Sequence, residues 1–260
     1  MLISNGIHMM NDKVILFVPL QLHLAGASSF HKMAAGHVAC HFTDSGQIFH
    51  AFIRAQPQFS KVICCHLGNG SSLSACVDGK CVDTSMGLTP LEGLLMGTRC
   101  GSCDPAVVQF IANNEGMTPD QVLDMMNKKS GLLGISGTSS DMRDVDAAAD
   151  AGDENAELAR QMLVYGIQKY IGSYAAAMGG VDMIVFTAGI GENNGKLRER
   201  VMANFEYLGA KLDIAKNAAC ADGKATECIV STDDSKVKIL VIPTNEEIMI
   251  ARDTLELVSK

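Results

Sequence analysis

The sequence predicts an α/β domain, a mixed sheet flanked by helices, and three observations lead there. Short apolar runs of strand length, at 62–67, 72–77, 183–187 and 237–242, alternate with longer helical stretches. Asp78-Gly79 sits between two extended runs as a type I′ hairpin signal. With 47% hydrophobic residues, the 260-residue chain can bury a sizeable core in one large domain or two modest ones.

In chain order, residues 62–67 suit a buried strand and 72–77 alternate as a second one. The Gly68–Gly70 turn between them puts Asn69 and Gly70 at a strand-to-strand tip, where backbone amides can face a ligand. Residues 90–96 are expected to begin a short helix, with Arg99 in the loop after it. Asp104-Pro105 reads as N-cap and first helical position of a helix whose apolar residues are Val107, Val108, Phe110 and Ile111. Thr118 to Gln121 is a capping box for a helix over 122–128. Gly131 and Gly134 are expected to break the chain into a loop carrying Asp141 to Asp144. The longest helical stretch is 153–178, with Leu158, Met162, Tyr165 and Lys169 near one face and a stop at Gly179-Gly180. A buried strand over 183–187 then runs into a glycine turn, Gly189 to Gly191, before a helix over 196–208. After the last strand, Thr244 with Glu247 three residues on caps a final helix over 246–258.

The first sixty residues differ from the rest. They hold six of the seven histidines, and their only charged side chains are Asp12, Lys13, Lys32, Asp44 and Arg54. No sustained helical or alternating period runs through them, although residues 14–20 could form a strand. Lys13, this apolar run and the Ala-Gly-Ala that ends near residue 27 faintly imitate a signal peptide, but the run contains Pro19 and is too short to span a bilayer. Net charge is −8 without a basic block, which argues against nucleic acid or an anionic membrane as the main partner. Nine cysteines, an odd number, do not read as a disulfide framework; a reducing cytoplasm is the simpler setting. Cys100-Gly101-Ser102-Cys103 is a lone C-x-x-C with no second ligand pair, so fortuitous thiols are the better reading.

The chemistry concentrates between His66 and Arg99. His66-Leu67-Gly68-Asn69-Gly70-Ser71-Ser72 is followed by a hairpin and by Asp83-Thr84-Ser85-Met86-Gly87, and the run closes on Gly97-Thr98-Arg99. Glycines let successive N–H groups converge on one point, and a nearby guanidinium makes that point suit a phosphate or carboxylate. Further glycine- and hydroxyl-rich stretches follow at Ser130 to Gly137, Ser139 to Asp144, Phe186 to Asn193 and Pro243 to Glu247. In order and spacing these motifs resemble the acetate kinase family over roughly residues 61–260, and leave the first sixty unmatched.

That resemblance implies a ribonuclease H-like domain of the actin, Hsp70 and sugar kinase type, with its N-terminal partner domain largely missing. It implies a nucleotide-binding domain over 61–260 behind an atypical segment over 1–60, expected to be a misread, frameshifted or rearranged stretch. The implied reaction is magnesium-assisted, in-line phosphoryl transfer from ATP to acetate, with propionate or butyrate as near alternatives for the acceptor. Arg99 matches the catalytic arginine; its bland alternative is a loop arginine paired with Asp104. His66, Leu67, Gly68, Asn69 and Gly70 match the phosphate-binding segment, Asp141, Met142 and Arg143 a nucleotide-contacting one, and Gly189, Ile190, Gly191, Glu192 and Asn193 the adenine-side loop. Glu246 matches the magnesium-associated glutamate. A cytoplasmic homodimer is the implied assembly. A non-catalytic nucleotide-binding or dimerising fragment is the reading from another class. The family's N-terminal Asn-x-Gly-Ser-Ser-Ser segment has no counterpart here, and Gly101-Ser102 stands where the family has Gly-Asp.

Overall fold

The computed structural model describes residues 7–10, 13–16, 61–221 and 227–244, with 251, 254, 255 and 257–259. Strands β1 (Ile7–Met10) and β2 (Lys13–Leu16) form a separate antiparallel pair. The expected strand over 14–20 is therefore present in its first three residues, and positions 17–20 lie outside the described ones.

A six-stranded mixed sheet carries the domain, in the order β5-β4-β3-β6-β8-β7. Its members are β3 (Lys61–Leu67), β4 (Ser71–Val77), β5 (Lys80–Thr84), β6 (Met183–Thr187), β7 (Cys228–Ile229) and β8 (Lys238–Val241). The central trio β3, β6 and β8 is parallel, while β4 runs antiparallel to β3 and β5, and β7 antiparallel to β8. Every residue of β6 is buried, which explains its unbroken apolar sequence: both faces of a central parallel strand are covered. Alternation sorts β3 between two cores. Ile63, Cys65 and Leu67 join the larger cluster, and Val62 and Cys64 pack with Met183, Val185 and Leu240 on the other face. Asp78 and Gly79 both take positive φ at the hairpin tip, as a type I′ turn requires.

The larger core packs against α5 (Glu154–Ala177), the 24-residue helix, whose N-cap Asp153 accepts hydrogen bonds from the Asn155 and Ala156 amides. Ala156, Ala159, Leu163, Ile167, Ile171 and Tyr174 form its buried stripe at helical spacing. The face singled out in the sequence is the opposite one: Leu158, Met162 and Tyr165 are exposed, and Lys169 lies over the Tyr165 ring.

Helices α1 (Ala106–Glu115) and α2 (Pro119–Lys128) precede α5, and α2 carries the full reciprocal capping box between Thr118 and Gln121. No residue of α1 is buried, and Phe110 is 69% exposed. Asp104 accepts from the Ala106 amide at 2.9 Å, but the formal N-cap is Pro105, so the helix starts one residue later than expected.

Two expectations fail here. Residues 90–96 form turns rather than a helix. Gly93 has φ +113°, and the carbonyls that a helix would need are engaged elsewhere: Gly93 O accepts from Ser102 N and Met96 O from Leu132 N. Conversely, Gly131 and Gly134 sit inside a short helix, α3 (Gly131–Ser136), not a loop. The orphan first-turn amides of α3 find partners in that same turn segment, Leu132 N on Met96 O at 2.8 Å and Leu133 N on Gly97 O at 3.0 Å. The remaining helices are α4 (Met142–Asp150), α6 (Ala188–Asn193), α7 (Gly195–Met202) and α8 (Ile214–Ala219), with a 3-10 turn at Glu206–Leu208. Cys220 and Cys228 are bonded as a disulfide, while six further cysteines among the described residues are free, so the cysteines do not form a framework of bridges. The C-x-x-C pair remains free, and burial pushes the Cys100 thiol up to about 11, opposite to what a nucleophile needs. Among the described residues no helix is long and apolar enough to cross a membrane.

Thr118→Ala removes one half of the capping box at an exposed helix start and should cost about 1 kcal/mol in urea unfolding. Gly131→Ala should cost at least about 2 kcal/mol, because φ is +63° and the new Cβ would collide with the Met96 carbonyl oxygen.

Candidate functional site

Parallel β3 and β6 end side by side, with His66 opposite Thr187, and the loops beyond their C-terminal ends build the site. Beyond β3, Gly68 N donates to Gly70 O at 3.1 Å and Ser71 Oγ donates to Gly68 O at 2.9 Å, closing the tight turn read from the sequence. Gly97 docks on that turn by donating to Asn69 O at 3.1 Å. A Cβ on Gly97 would collide with Asn69 Oδ1 and come within 2.8 Å of Ser140 O, so only glycine permits this approach.

Two residues later, Arg99 is half-buried and its Nη1 contacts Met96 Sδ at 3.4 Å. Among the described residues it forms no ion pair, and the pairing with Asp104 is not made. A Cβ built on Gly70 would lie 3.5 Å from Arg99 Nη1, so the guanidinium stands directly beside the turn. A positive charge is thus set next to a backbone turn.

A second wall comes from the N-terminus of α4. Asp141 is its N-cap, accepting from Arg143 N at 2.9 Å and pairing with Arg143 Nη2 at 2.6 Å. The Arg143 guanidinium holds the Asp141 carboxyl at about 2, below the usual carboxylate range. Met142 is buried behind them.

The third wall is α6, and here the sequence reading needs correcting. Gly189 to Asn193 is helical; the residue that turns the chain after β6 is Ala188, at φ +62°. Ala188 N donates to Thr244 Oγ1 at 3.0 Å, and the Thr244 hydroxyl is 2.7 Å from that of Thr187, which fixes the strained residue in place. Glu192 Oε1 accepts from Thr244 N at 2.8 Å. Gly191 is buried against the backbone of Cys65 and Phe186. Beneath α6 lies Arg198, fully buried. It donates to the carbonyls of Gly191 and Glu192 at 2.7 Å each and to both oxygens of Asn217, and burial lowers its pKa to about 10.

These walls enclose a cleft of about 1170 Å³. Of the nucleotide-site residues expected from the sequence, Gly68, Asn69, Asp141, Met142, Arg143, Gly189, Ile190 and Asn193 line it. His66, Leu67, Gly70, Gly191 and Glu192 do not; Leu67 is fully buried behind the turn. Arg99 reaches Gly70 beyond the end of the cleft wall. Asp146, Asn194, Lys196, Glu199 and Asn217 line the cleft and were missed, because helical spacing alone does not say which polar face meets a ligand. Glu246 lies outside the described residues. Among the described ones no group of three or more His, Cys, Asp or Glu could hold a metal ion.

The acetokinase family pattern matches residues 37–252, a range beginning ahead of the residue 61 expected from the motifs. The acetate kinase of Carboxydothermus hydrogenoformans is 61% identical over 198 residues, 76% of this chain and 48% of the relative. That of Phocaeicola vulgatus is 54% identical over 209 residues, 80% and 52% respectively. Among solved structures, Porphyromonas gingivalis acetate kinase superposes with a TM-score of 0.74 at 44% identity, covering 80% of this chain and 53% of that one. A propionate kinase from Francisella tularensis gives 0.71 at 37%, covering 85% and 57%. The chain thus spans about half the length of the relatives it matches.

Arg198→Leu leaves four carbonyl lone-pair contacts empty in a dry site and should cost about 3–5 kcal/mol in urea unfolding, with Arg198→Lys losing less. Asp141 and Glu157 are both held at about 2, against ordinary values of 3.8 and 4.5. Their folded pKa values lie below the unfolded ones, so the stability they add is complete above pH 4.5 and drains as pH falls toward 2. Thermal midpoints measured across that window should fall, and Glu157→Gln should flatten part of the fall.

Proposed function

The chain belongs to the acetokinase family, and from that premise we propose that it is the nucleotide-binding, C-terminal part of an acetate kinase-like phosphotransferase. The reaction is ATP plus acetate giving ADP plus acetyl phosphate. One observation carries this reading: a cleft walled by Asp141–Arg143 and Gly189–Asn193 runs up to the Gly68–Gly70 turn, and an arginine without an ion pair among the described residues stands just beyond it. In this reading the nucleoside lies in the cleft, and the turn amides with Arg99 receive the phosphates.

A carboxylate oxygen of acetate attacks the terminal phosphorus in line. The new bond to the carboxylate forms as the bond to the bridging oxygen breaks, and ADP departs with that electron pair. Arg99 neutralises the charge shared over the three equatorial oxygens, which matters more than covalent assistance in a loose transition state. Glu246 is the carboxylate proposed to hold magnesium, which would supply further charge neutralisation when bound. Residues 61–260 are the proposed nucleotide domain and 1–60 an atypical segment. A cytoplasmic homodimer is the proposed assembly.

The half-length match favours a second reading, a non-catalytic nucleotide-binding or dimerising fragment. The propionate kinase likeness keeps propionate or butyrate open as the acceptor.

The test has two arms on the 260-residue chain. ADP binding by isothermal titration is expected, and its absence overturns the nucleotide reading. Acetyl phosphate formed from ATP, magnesium and acetate is trapped with hydroxylamine. Arg99→Ala should abolish this signal and shift ADP affinity by no more than about threefold, because ADP lacks the terminal phosphate that this reading places at the arginine. ADP binding without any hydroxamate from either protein would favour the fragment.

A further inference from the structure

Asp146 lines the cleft, and its two carboxylate oxygens face different parts of the molecule. Oδ1 accepts from Arg160 Nη1 at 3.3 Å, and Oδ2 accepts from Asn194 Nδ2 at 2.6 Å. Arg160 is a fixed anchor: it is 7% exposed on the inner side of α5 and also binds Asp150 and Glu157. With Oδ1 tied to the core, the direction of Oδ2 is set. Asn194 in turn accepts from Leu197 N at 2.9 Å through Oδ1, capping α7, and leaves its amide nitrogen for Asp146. Asn194 directly follows Asn193, and Asp146 lies on the same helix as Asp141 to Arg143. One hydrogen bond therefore spans the two walls. Lys196 to Asp150 also joins α7 to α4, but those side chains are 75% and 48% exposed, and such pairs hold little.

We infer that Asp146 is a positioning residue, holding the α4 wall and the α6–α7 wall of the cleft at one separation through Asn194. The inference rests on the nucleotide reading above. A ligand clasped between two walls pays in affinity for any slack in their spacing, so losing the bridge weakens binding, and restoring it with reversed polarity recovers the spacing although both lining side chains have changed.

Exchanging the two side chains tests it. Asn194→Asp keeps the capping oxygen but destroys the donor and sets two carboxylates face to face. Asp146→Asn keeps an acceptor for Arg160 but turns an amide donor on the Asn194 amide. Together they restore one donor and one acceptor with reversed polarity. Each single change should weaken ADP binding about tenfold in isothermal titration, and the exchange should return it to within about threefold of the original. Asn194→Ser, which keeps a capping oxygen and loses the bridge, should match the singles and serves if either charge variant fails to fold. Singles that leave affinity unchanged while lowering the thermal midpoint would reduce the bridge to a stability role and overturn the inference. So would an exchange no tighter than the weaker single. If the unaltered chain binds no ADP, the nucleotide reading itself fails, a result distinct from binding that is indifferent to the exchange.

Discussion

The peptide unit at Gly97 is where the parts of the site are fastened together. Its N–H donates to Asn69 at the tip of β3, its carbonyl accepts the first-turn amide of Leu133 in α3, and its missing side chain lets Asn69 and Ser140 close in from two sides. A strand-to-strand turn, the segment carrying Arg99, a short helix and the approach to α4 are thus coupled through four atoms. Their relative positions do not depend on long flexible side chains. Such a backbone-built joint is stiff, because the Gly97 N–H and carbonyl are both engaged in hydrogen bonds.

Two buried arginines show how differently the fold treats charge on the two sides of the cleft. Arg160 meets Asp146, Asp150 and Glu157. Burial pulls its pKa down, but hydrogen bonds to those carboxylates outweigh burial, and the net shift is upward. Arg198 meets only carbonyl and amide oxygens, so burial prevails and the pKa drops to about 10. At neutral pH Arg198 is still charged, and its charge is offset by dipoles rather than by an anion. It binds the carbonyl end of α6, where the short helix exposes unpaired oxygens, and so does for α6 what a C-terminal cap does elsewhere. The first arginine organises helices; the second holds a loop-like helix against the sheet.

What the sequence revealed and what it concealed divide along physical lines. The strands were legible because both-face burial leaves an unbroken apolar run, as in Met183 to Thr187, and the Asp78-Gly79 hairpin because positive φ at two successive residues demands such a pair. The Thr118–Gln121 box was legible because it is a local exchange of hydrogen bonds. The glycines misled in both directions. Gly131 and Gly134 looked like breakers, yet Gly131 is needed for close approach to the 96–99 segment and a helix continues from it. Gly189 and Gly191 looked like a turn, while the turning residue was Ala188, held by Thr244 from far along the chain. Tertiary contacts decided each of these cases, and no local window contains them. The same holds for Asp146 and Asn194, distant in sequence and brought together by the packing of α4 and α7 against α5.

The position of Arg99 relative to the cleft constrains what the site can accept. The cleft wall runs from Asn217 and Lys196 to Gly68 and Asn69, and the guanidinium stands beside Gly70, one residue beyond it. A small anion at Gly70 would meet the arginine and leave the cleft empty, and a nucleoside would fill the cleft and leave the arginine unmatched. Under the proposed function a nucleoside polyphosphate would meet both, its chain of phosphates carrying negative charge from the cleft past the turn. The net charge of −8 bears on that proposal: the global field repels such a ligand, so its attraction would come from the local donors at the turn and Arg99.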